Sequence, residues 1–428
     1  MSDGAGTVEL ATFGCRLNIA ESAAMQAHAT AAALDGQTLI FNTCAVTAAA
    51  EREARSAIRK ARRNYPDARI VVTGCAVQVN GASFAAMPEV DHVLANDAKL
   101  KAESFRQLAG KDADHILPAG IPATAPVTGV RMADLPRDAD TAHTRAFLSV
   151  QNGCDHRCTF CIIPYGRGAS RSSPLADIAA DGAALDARGY REITLTGVDI
   201  ASYGRDLDSQ PTLGRAIRVL LDSAPGVARV RLSSLDPAAI YDDLWDLLAH
   251  EPRLMPHFHL SLQAGDDMVL KRMKRRHSRD DVLRLADRAR GLRPDILFGA
   301  DIIAGFPTES EAMFDNTLRL VDEAGLTWLH VFPYSARTGT PAAKMPQVPM
   351  DVRRDRAAQL RAAGERQADA HLRSLVGQTV EILSEQNGQG HTRGFAPVQF
   401  LHDITPNKLV AARAVAVQDG KLQVDIPC

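Results

Sequence analysis

Over the first hundred positions the apolar residues arrive in short, β-rich runs. Val8–Cys15 (VELATFGC), Leu39–Cys44 (LIFNTC) and Ile70–Cys75 (IVVTGC) each read as a strand that ends at a cysteine. Between them the spacing lengthens to a helical one, over Asn18–Ala33, Thr47–Asn64 and a shorter stretch after Val77, with Gly36 and Pro66 as punctuation. The repeat of strand, cysteine and helix recurs at about thirty residues, the size of a βα unit. Strands joined by helical crossovers lie parallel. The pattern therefore predicts an N-terminal parallel βα domain over residues 1–116. Cys15, Cys44 and Cys75 should share the carboxyl edge of its sheet, where open α/β sheets bind ligands. Each thiol also falls near a helix N-terminus, where the dipole favours the thiolate. A lone buried cysteine is usually a small hydrophobe; three at equivalent places point to a three-thiolate site.

Residues 117–144 lose this periodicity. Pro118, Pro122, Pro126 and Pro136 fall among Ala, Thr and Gly, which reads as a linker. Strand patterns resume at Ala146–Val150, Glu192–Thr196, Val230–Ser233, Phe258–Leu262, Ile296–Ile303 and Thr327–Phe332. Helical stretches lie between them, at Pro174–Arg188, Leu213–Ser223, Ala239–His250, Arg279–Leu292 and Glu309–Ala324. Six alternations predict a parallel α/β domain over residues 145–345, and a partial (β/α)6 barrel and a doubly wound sheet fit the pattern alike. Beyond Pro346 and Pro349 a charged helix over Asp351–Leu375 forms a connection, 346–376. Short strands at Thr379–Ser384, Gly394–Phe400, Leu409–Val417 and Leu422–Ile426 then predict a small all-β barrel over 377–428.

Composition narrows the class. Hydrophobic residues make up 46% and charged residues 23% of 428 residues, as in ordinary globular proteins of two or three domains. The net charge of −2 gives no global pull toward nucleic acid, so any such binding rests on local patches. The start, MSDGAGTVEL, lacks a basic segment followed by an apolar run, and no stretch is apolar enough to cross a bilayer. A cytoplasmic location without membrane contact is the default expectation. Thiols stay reduced there, so clustered cysteines point to metal or catalysis.

The densest cluster lies in Gln151–Gly168, QNGCDHRCTFCIIPYGRG, where Cys154, Cys158 and Cys161 fall within eight residues. A flexible loop with this C-x3-C-x2-C spacing can bring three thiolates to three corners of an iron–sulfur cube and leave one iron without a protein ligand. A zinc knuckle is the alternative, but His156 lies too close in sequence to supply the fourth ligand easily. The trio follows the first strand of the middle domain, and in βα barrels reactive groups sit at the carboxyl ends of strands. The same edge should carry Thr196–Asp199 (TGVD), Ser233–Asp236 (SSLD), Gln263 with Gly265, and Asp301–Glu309 (DIIAGFPTE). Each of these also has a turn or cap explanation. His257, His259 and His330, in or beside strands, read as packed histidines.

Two basic runs stand out, Arg52–Arg63 and Lys271–Arg279. The second holds six Lys or Arg in nine residues, and Lys271, Arg272, Lys274, Arg275 and Arg276 are the candidate RNA contacts. The alternative is a solvated helix face. In the C-terminal module, Phe395 and Phe400 are the candidates for stacking on bases. Cys428 belongs to neither cysteine set.

C-x3-C-x2-C after the first strand of such a domain resembles the radical S-adenosylmethionine (SAM) enzymes. The added N-terminal unit, with FGC, NTC and TGC at its strand ends, is similar to the methylthiotransferases among them, and the likeness covers nearly the whole chain. FGCRLNIAE, NTCAVT, TGCAVQ and QNGCDHRCTFCIIPYGRG resemble most the branch acting on threonylcarbamoyl-adenosine at position 37 of tRNA. The resemblance implies a radical-SAM barrel, a C-terminal TRAM domain and two [4Fe–4S] clusters. Cys154, Cys158 and Cys161 would hold the SAM-cleaving cluster, and Cys15, Cys44 and Cys75 the sulfur-donating one. Phe160, Thr196, Gly197, Asp199, Ser233, Gln263 and Asp301 would form the SAM pocket, with no catalytic acid–base pair besides. The implied partners are the tRNA anticodon stem-loop, an electron donor such as flavodoxin or ferredoxin, and a sulfur donor. The implied reaction is methylthiolation at C2 of the adenine, where an aromatic C–H has no acidic proton for a base to remove. Alternatives are isopentenyladenosine in tRNA, an aspartate of a ribosomal protein, or a non-catalytic zinc and RNA-binding role.

Overall fold

The computed structural model describes residues 7–34, 36–109, 115–117, 120–122, 125–128, 131–132 and 144–426. Most of the expected linker, 117–144, and Cys428 lie outside the described residues.

The first unit is a parallel sheet of β1 (Thr7–Thr12), β2 (Gln37–Thr43), β3 (Arg69–Gly74) and β4 (His92–Val93), in that order. Helices α1 (Arg16–Ala31), α2 (Ala48–Asn64), α3 (Cys75–Ala85) and α4 (Ala102–Leu108) alternate with the strands. Its pairings place Thr12 beside Asn42 and Thr43 beside Gly74, so the three strand ends are level. The chain turns out of β1 and β3 through Gly14 (φ +96°) and Gly74 (φ +100°), each just before a cysteine. A Cβ on Gly14 would lie 2.8 Å from the Cys44 sulfur, and one on Gly74 2.3 Å from the Thr43 carbonyl oxygen. Only glycine permits both the turn and the close approach.

The middle unit begins with β5 (Arg145–Ser149), β6 (Gln151–Asn152), α5 (Ile163–Arg167), β7 (Arg171–Ser172) and α6 (Leu175–Ala187). It continues through β8 (Glu192–Thr196), α7 (Leu213–Ser223), β9 (Arg229–Leu232), α8 (Asp242–His250) and β10 (His257–Gln263). It closes with α9 (Asp267–Met273), α10 (Arg279–Leu292), β11 (Leu297–Ala304), α11 (Glu311–Glu323) and β12 (Leu326–Pro333). β5, β8 and β9 form one parallel ladder, and β10, β11 and β12 another. Bridges at Val230–Leu254 and Leu235–Leu260 join them, and the Leu235 amide donates to the His259 carbonyl at 2.7 Å. The strands thus run in chain order without the reversal of a doubly wound sheet, which gives the partial (β/α)6 barrel. Alternation then sorts the side chains. Ile193, Leu195, Val230, Leu232, Phe258, Leu260, Phe298 and Ala300 enter the apolar core. Glu192, Arg229, Arg231, His257, His259 and Asp301 occupy the alternate positions, and their ion pairs make the inner face polar.

Helix α12 (Met350–Leu375) lies along β12, with Ala357, Leu360 and Ala363 in the core. It leads to a closed five-strand barrel of β13 (Thr379–Ser384), β14 (Gln389–Thr392), β15 (Pro397–Phe400), β16 (Leu409–Gln418) and β17 (Lys421–Asp425). The strand expected at Gly394–Phe400 is shorter, β15 alone, because Phe395 takes a left-handed turn (φ +70°) before it, and β14 was not expected. This barrel covers the amino ends of the central strands: Arg229 donates to Glu381 at 2.9 Å, Arg231 to the Arg393 carbonyl at 3.2 Å, and the Trp328 indole to the Gly394 carbonyl at 3.0 Å. Among the described residues no helix is long and apolar enough to cross a membrane.

Candidate active site

The level ends of β1, β2 and β3 carry Cys15, which caps α1, Cys44, which is buried, and Cys75, the first residue of α3. The Val46 amide donates to the Cys44 sulfur at 3.5 Å, and the Asn96 side-chain amide reaches the Cys75 sulfur at 3.8 Å. Burial pushes the Cys44 thiol up to about 11, and it raises Cys75 as well.

The second trio lies in the loop between β6 and α5. Thr159 anchors this loop to the end of α9: its amide donates to the Met273 carbonyl at 3.1 Å and its hydroxyl to the Arg272 carbonyl at 2.8 Å. The Arg275 guanidinium lies 3.7 Å from the Cys158 sulfur. Burial first, then Asp199, push the Cys154 thiol up to about 12; burial takes Cys161 to about 11. Such thiols keep their protons until a metal displaces them.

Both trios fit a cube cluster better than zinc. Tetrahedral zinc would draw thiolates to about 3.8 Å from one another. Among the described residues, only His259, Asp301 and His330 bring three ligand atoms within 4.8 Å of one another. Neither set of three cysteine sulfurs is that close together throughout, and three ligands would leave one iron of a four-iron cluster open.

A buried ion network joins the two trios. Arg167, the last residue of α5 after the second loop, donates to Glu21 of α1 at 2.7 and 3.1 Å and to Asn18 at 2.6 Å. Lys99 completes it, donating to Glu21 at 2.7 Å and to Asn42 at 3.1 Å. Burial alone would raise the Glu21 carboxyl, but Arg167 and Lys99 outweigh it and hold the group at about 2. Arg167 is held well above its usual range; burial opposes this, and Cys75 and Glu21 overcome it. The guanidinium thus ties α1 to the end of α5 beside the N-terminal cysteines. Asn96 adds a neutral tie, donating to the Gly166 carbonyl at 2.6 Å.

Several of the expected pocket residues gather around the second loop. The Gln151 side-chain oxygen accepts from the Val198 and Asp199 amides at 3.0 and 2.8 Å, which binds the TGVD turn to the loop. Thr196 ends β8, and a Cβ on Gly197 would lie 2.7 Å from the Gln151 carbonyl oxygen. Asp199 pairs with His156 at 2.9 Å, so that histidine has a carboxylate partner. Phe160 packs edge-on against Phe306, with ring centroids 6.4 Å apart. Ser233 follows β9 with its buried hydroxyl unpartnered among the described residues, and Gln263 ends β10 with φ +77°. Asp301 sits deeper, within β11, between His259 at 3.0 Å and His330 at 3.2 Å. Glu309 is engaged in structure, accepting from the Gly305 amide at 2.9 Å and from Arg356 at 2.8 Å. His257 and His259 are packed, as expected, but His330 is exposed.

The basic run divides. Lys271, Lys274 and Arg276 are exposed, although Arg276 pairs with Asp236 at 3.0 Å. Arg272 donates to the Thr308 carbonyl at 3.1 Å. Arg275 turns inward to Cys158, to Asp236 at 3.4 Å and to the Ser261 carbonyl at 2.7 Å. The base-stacking expectation for Phe395 and Phe400 does not match their surroundings. Phe400 is in the barrel core, and Phe395 is stacked on His257 and His391 at 5.5 and 4.7 Å. In α2, Arg52, Arg59, Lys60 and Arg63 are exposed, while Arg55 and Arg62 pair with Glu51 and Asp91. Sequence reasoning missed Glu21, Lys99 and Arg167. The available signal was polar: Glu21 falls on the buried stripe of α1 with Leu17, Asn18 and Met25, where an unpaired acid would be costly.

Residues 148–321 match the radical SAM superfamily, and residues 7–95 match the uncharacterized protein family UPF0004. The chain is 46% identical to the threonylcarbamoyladenosine tRNA methylthiotransferase MtaB of Rickettsia prowazekii, over 97% of this chain and 96% of that one. It is 32% identical to the protein of the same description from Thermotoga maritima, over 99% and 96%. It is 36% identical to a tRNA-2-methylthio-N(6)-dimethylallyladenosine synthase of Novosphingobium aromaticivorans, over 92% and 91%. Among solved structures, the radical SAM methyltransferase TsrM of Kitasatospora setae shares the fold, with a TM-score of 0.52 at 17% identity over 72% of this chain and 63% of that one. With these relatives matched along nearly their whole length, the chain belongs to the radical SAM methylthiotransferase family.

Proposed function

We propose that the protein transfers a methylthio group to C2 of the adenine in N6-threonylcarbamoyladenosine at position 37 of tRNA, using SAM and two [4Fe–4S] clusters. The observation that carries this reading is the pairing of two three-cysteine sets through one buried network, Arg167–Glu21–Lys99. When bound, a cluster at Cys154, Cys158 and Cys161 supplies the electron that splits SAM, and one at Cys15, Cys44 and Cys75 supplies the sulfur. The chain's own residues hold the parts in place. Arg167 and Glu21 fix the distance between the sites, and Gln151 orients the Thr196–Asp199 turn beside the first of them. The C-terminal barrel seals the far end of the lumen against water. Identity to the relatives favours the threonylcarbamoyl substrate over the dimethylallyl one, 46% against 36%. The polar inner face suits an amino-acid substituent better than an isoprenoid one. The same proposal includes an anticodon stem-loop as the RNA bound, a reductant such as flavodoxin or ferredoxin, and a sulfur donor.

Nucleoside mass spectrometry of tRNA from cells lacking the protein tests the substrate. Loss of the methylthio form of threonylcarbamoyl-adenosine is expected, and its persistence refutes the assignment. Anaerobic metal analysis tests the cofactors: about eight irons per chain are expected. Replacing Cys154, Cys158 and Cys161 with Ala should leave about half and abolish SAM cleavage, whereas zinc in place of iron would overturn the reading.

A further inference from the structure

Arg16 directly follows Cys15 and opens α1. Its guanidinium carbon lies 5.5 Å from the centroid of Phe395, on which Arg145 and Arg231 also converge at 5.2 and 4.8 Å. The side chain therefore reaches from the N-terminal cysteine set into the polar lumen of the central barrel. Its neighbours there are already paired. Arg145 has Glu385 at 3.0 Å, Arg231 has Glu192 at 2.9 Å, and Arg229 has Glu381 at 2.9 Å. Asp301, the other acid within electrostatic reach of Arg16, is taken by His259 and His330 at 3.0 and 3.2 Å. Arg16 alone of these cations has no carboxylate and no hydrogen-bond acceptor among the described residues.

A half-buried cation among like charges, with every nearby acid engaged, is poised to take an anion from outside the chain. We infer that Arg16 binds the carboxylate of the amino-acid substituent on N6 of the target adenosine and sets the preference for that nucleoside over adenosines with an apolar substituent or none. The inference rests on the substrate reading above. C2 and the N6-bearing carbon flank N1 on one edge of adenine. A base that presents C2 to the sulfur-donating site therefore brings its substituent toward the residue next to Cys15. His330 is exposed in the same lumen beside Asp301, where it can meet the hydroxyl or the urea nitrogens of the substituent.

The test uses anaerobic holoenzyme and fluorescence anisotropy with three anticodon stem-loops: threonylcarbamoyl-adenosine at position 37, its neutral methyl ester, and plain adenosine. The unaltered protein should bind the first about tenfold or more tighter than the other two, the scale of a charge-assisted hydrogen bond. Arg16→Gln should bind all three alike, with affinity for the plain stem-loop unchanged, and Arg16→Lys should retain part of the preference. If Arg16→Gln keeps the full preference, or weakens the plain stem-loop equally, the inference fails while the substrate reading stands. If the unaltered protein shows no preference and leaves threonylcarbamoyl-adenosine unmodified, the substrate reading fails with it.

Discussion

Arg167 makes four hydrogen bonds through its two terminal nitrogens, to Glu21, Asn18 and Asn152, with only 3% of its side chain exposed. A buried pair is costly to assemble, but it is costlier to break, because the remaining charge keeps its desolvation penalty. Arg167→Ala should therefore lower the unfolding free energy by about 3–5 kcal/mol, measured by urea denaturation. The network also sets a pH dependence. The Glu21 carboxyl is depressed from 4.5 to about 2 in the folded chain. Its contribution is fully present above pH 4.5 and is lost as pH falls through about 2, amounting to about 3 kcal/mol. The difference in stability between the unaltered protein and Glu21→Gln should shrink over that window. A difference that stays constant would show that the ionised carboxylate is not what stabilises the pair.

At the scale of elements, each of the first two strand–helix junctions built on glycine is tightened by a neighbour. Gly74→Ala would place a Cβ 2.3 Å from the Thr43 carbonyl oxygen on a backbone at φ +100°. A loss of about 2–4 kcal/mol is expected, with iron lost selectively from the N-terminal cysteine set. At and just past the end of α9 the cations divide into exposed Lys271 and Lys274 and inward-turned Arg275. Replacing exposed Lys271 and Lys274 with Ala should reduce the salt dependence of tRNA binding by about two units of slope if both meet phosphates. Arg275→Ala should instead disturb the site at Cys158 and leave that slope unchanged.

For the whole molecule, the C-terminal barrel acts as a floor as well as a module. Glu381 and the carbonyls of His391, Arg393 and Gly394 accept hydrogen bonds from Arg229, Arg231 and Trp328 of the central strands. Arg229 and Arg231 are among the most deeply buried side chains in the protein. A chain ending at Val376 should therefore melt at a lower temperature than the full chain, even without RNA. Equal melting temperatures would make the barrel an independent appendage. The α/β class, the parallel N-terminal sheet, the six strand–helix alternations of the middle domain and the C-terminal β-barrel were legible from the sequence, because period, turn residues and cysteine spacing are local. They also placed Cys15, Cys44 and Cys75 at strand ends, since parallel crossovers bring every strand's carboxyl end to one edge. Choosing the barrel over a doubly wound sheet required the strand order. The Arg167–Glu21 pair joins residues 146 apart, and no local pattern records such a contact. The same holds for Arg275 facing a thiol, for Phe395 enclosed by histidines, and for Arg16 without a counter-ion among the described residues. Each depends on which faces of the three units meet, and burial then decides whether a charge or an aromatic ring serves the fold or remains free for a ligand.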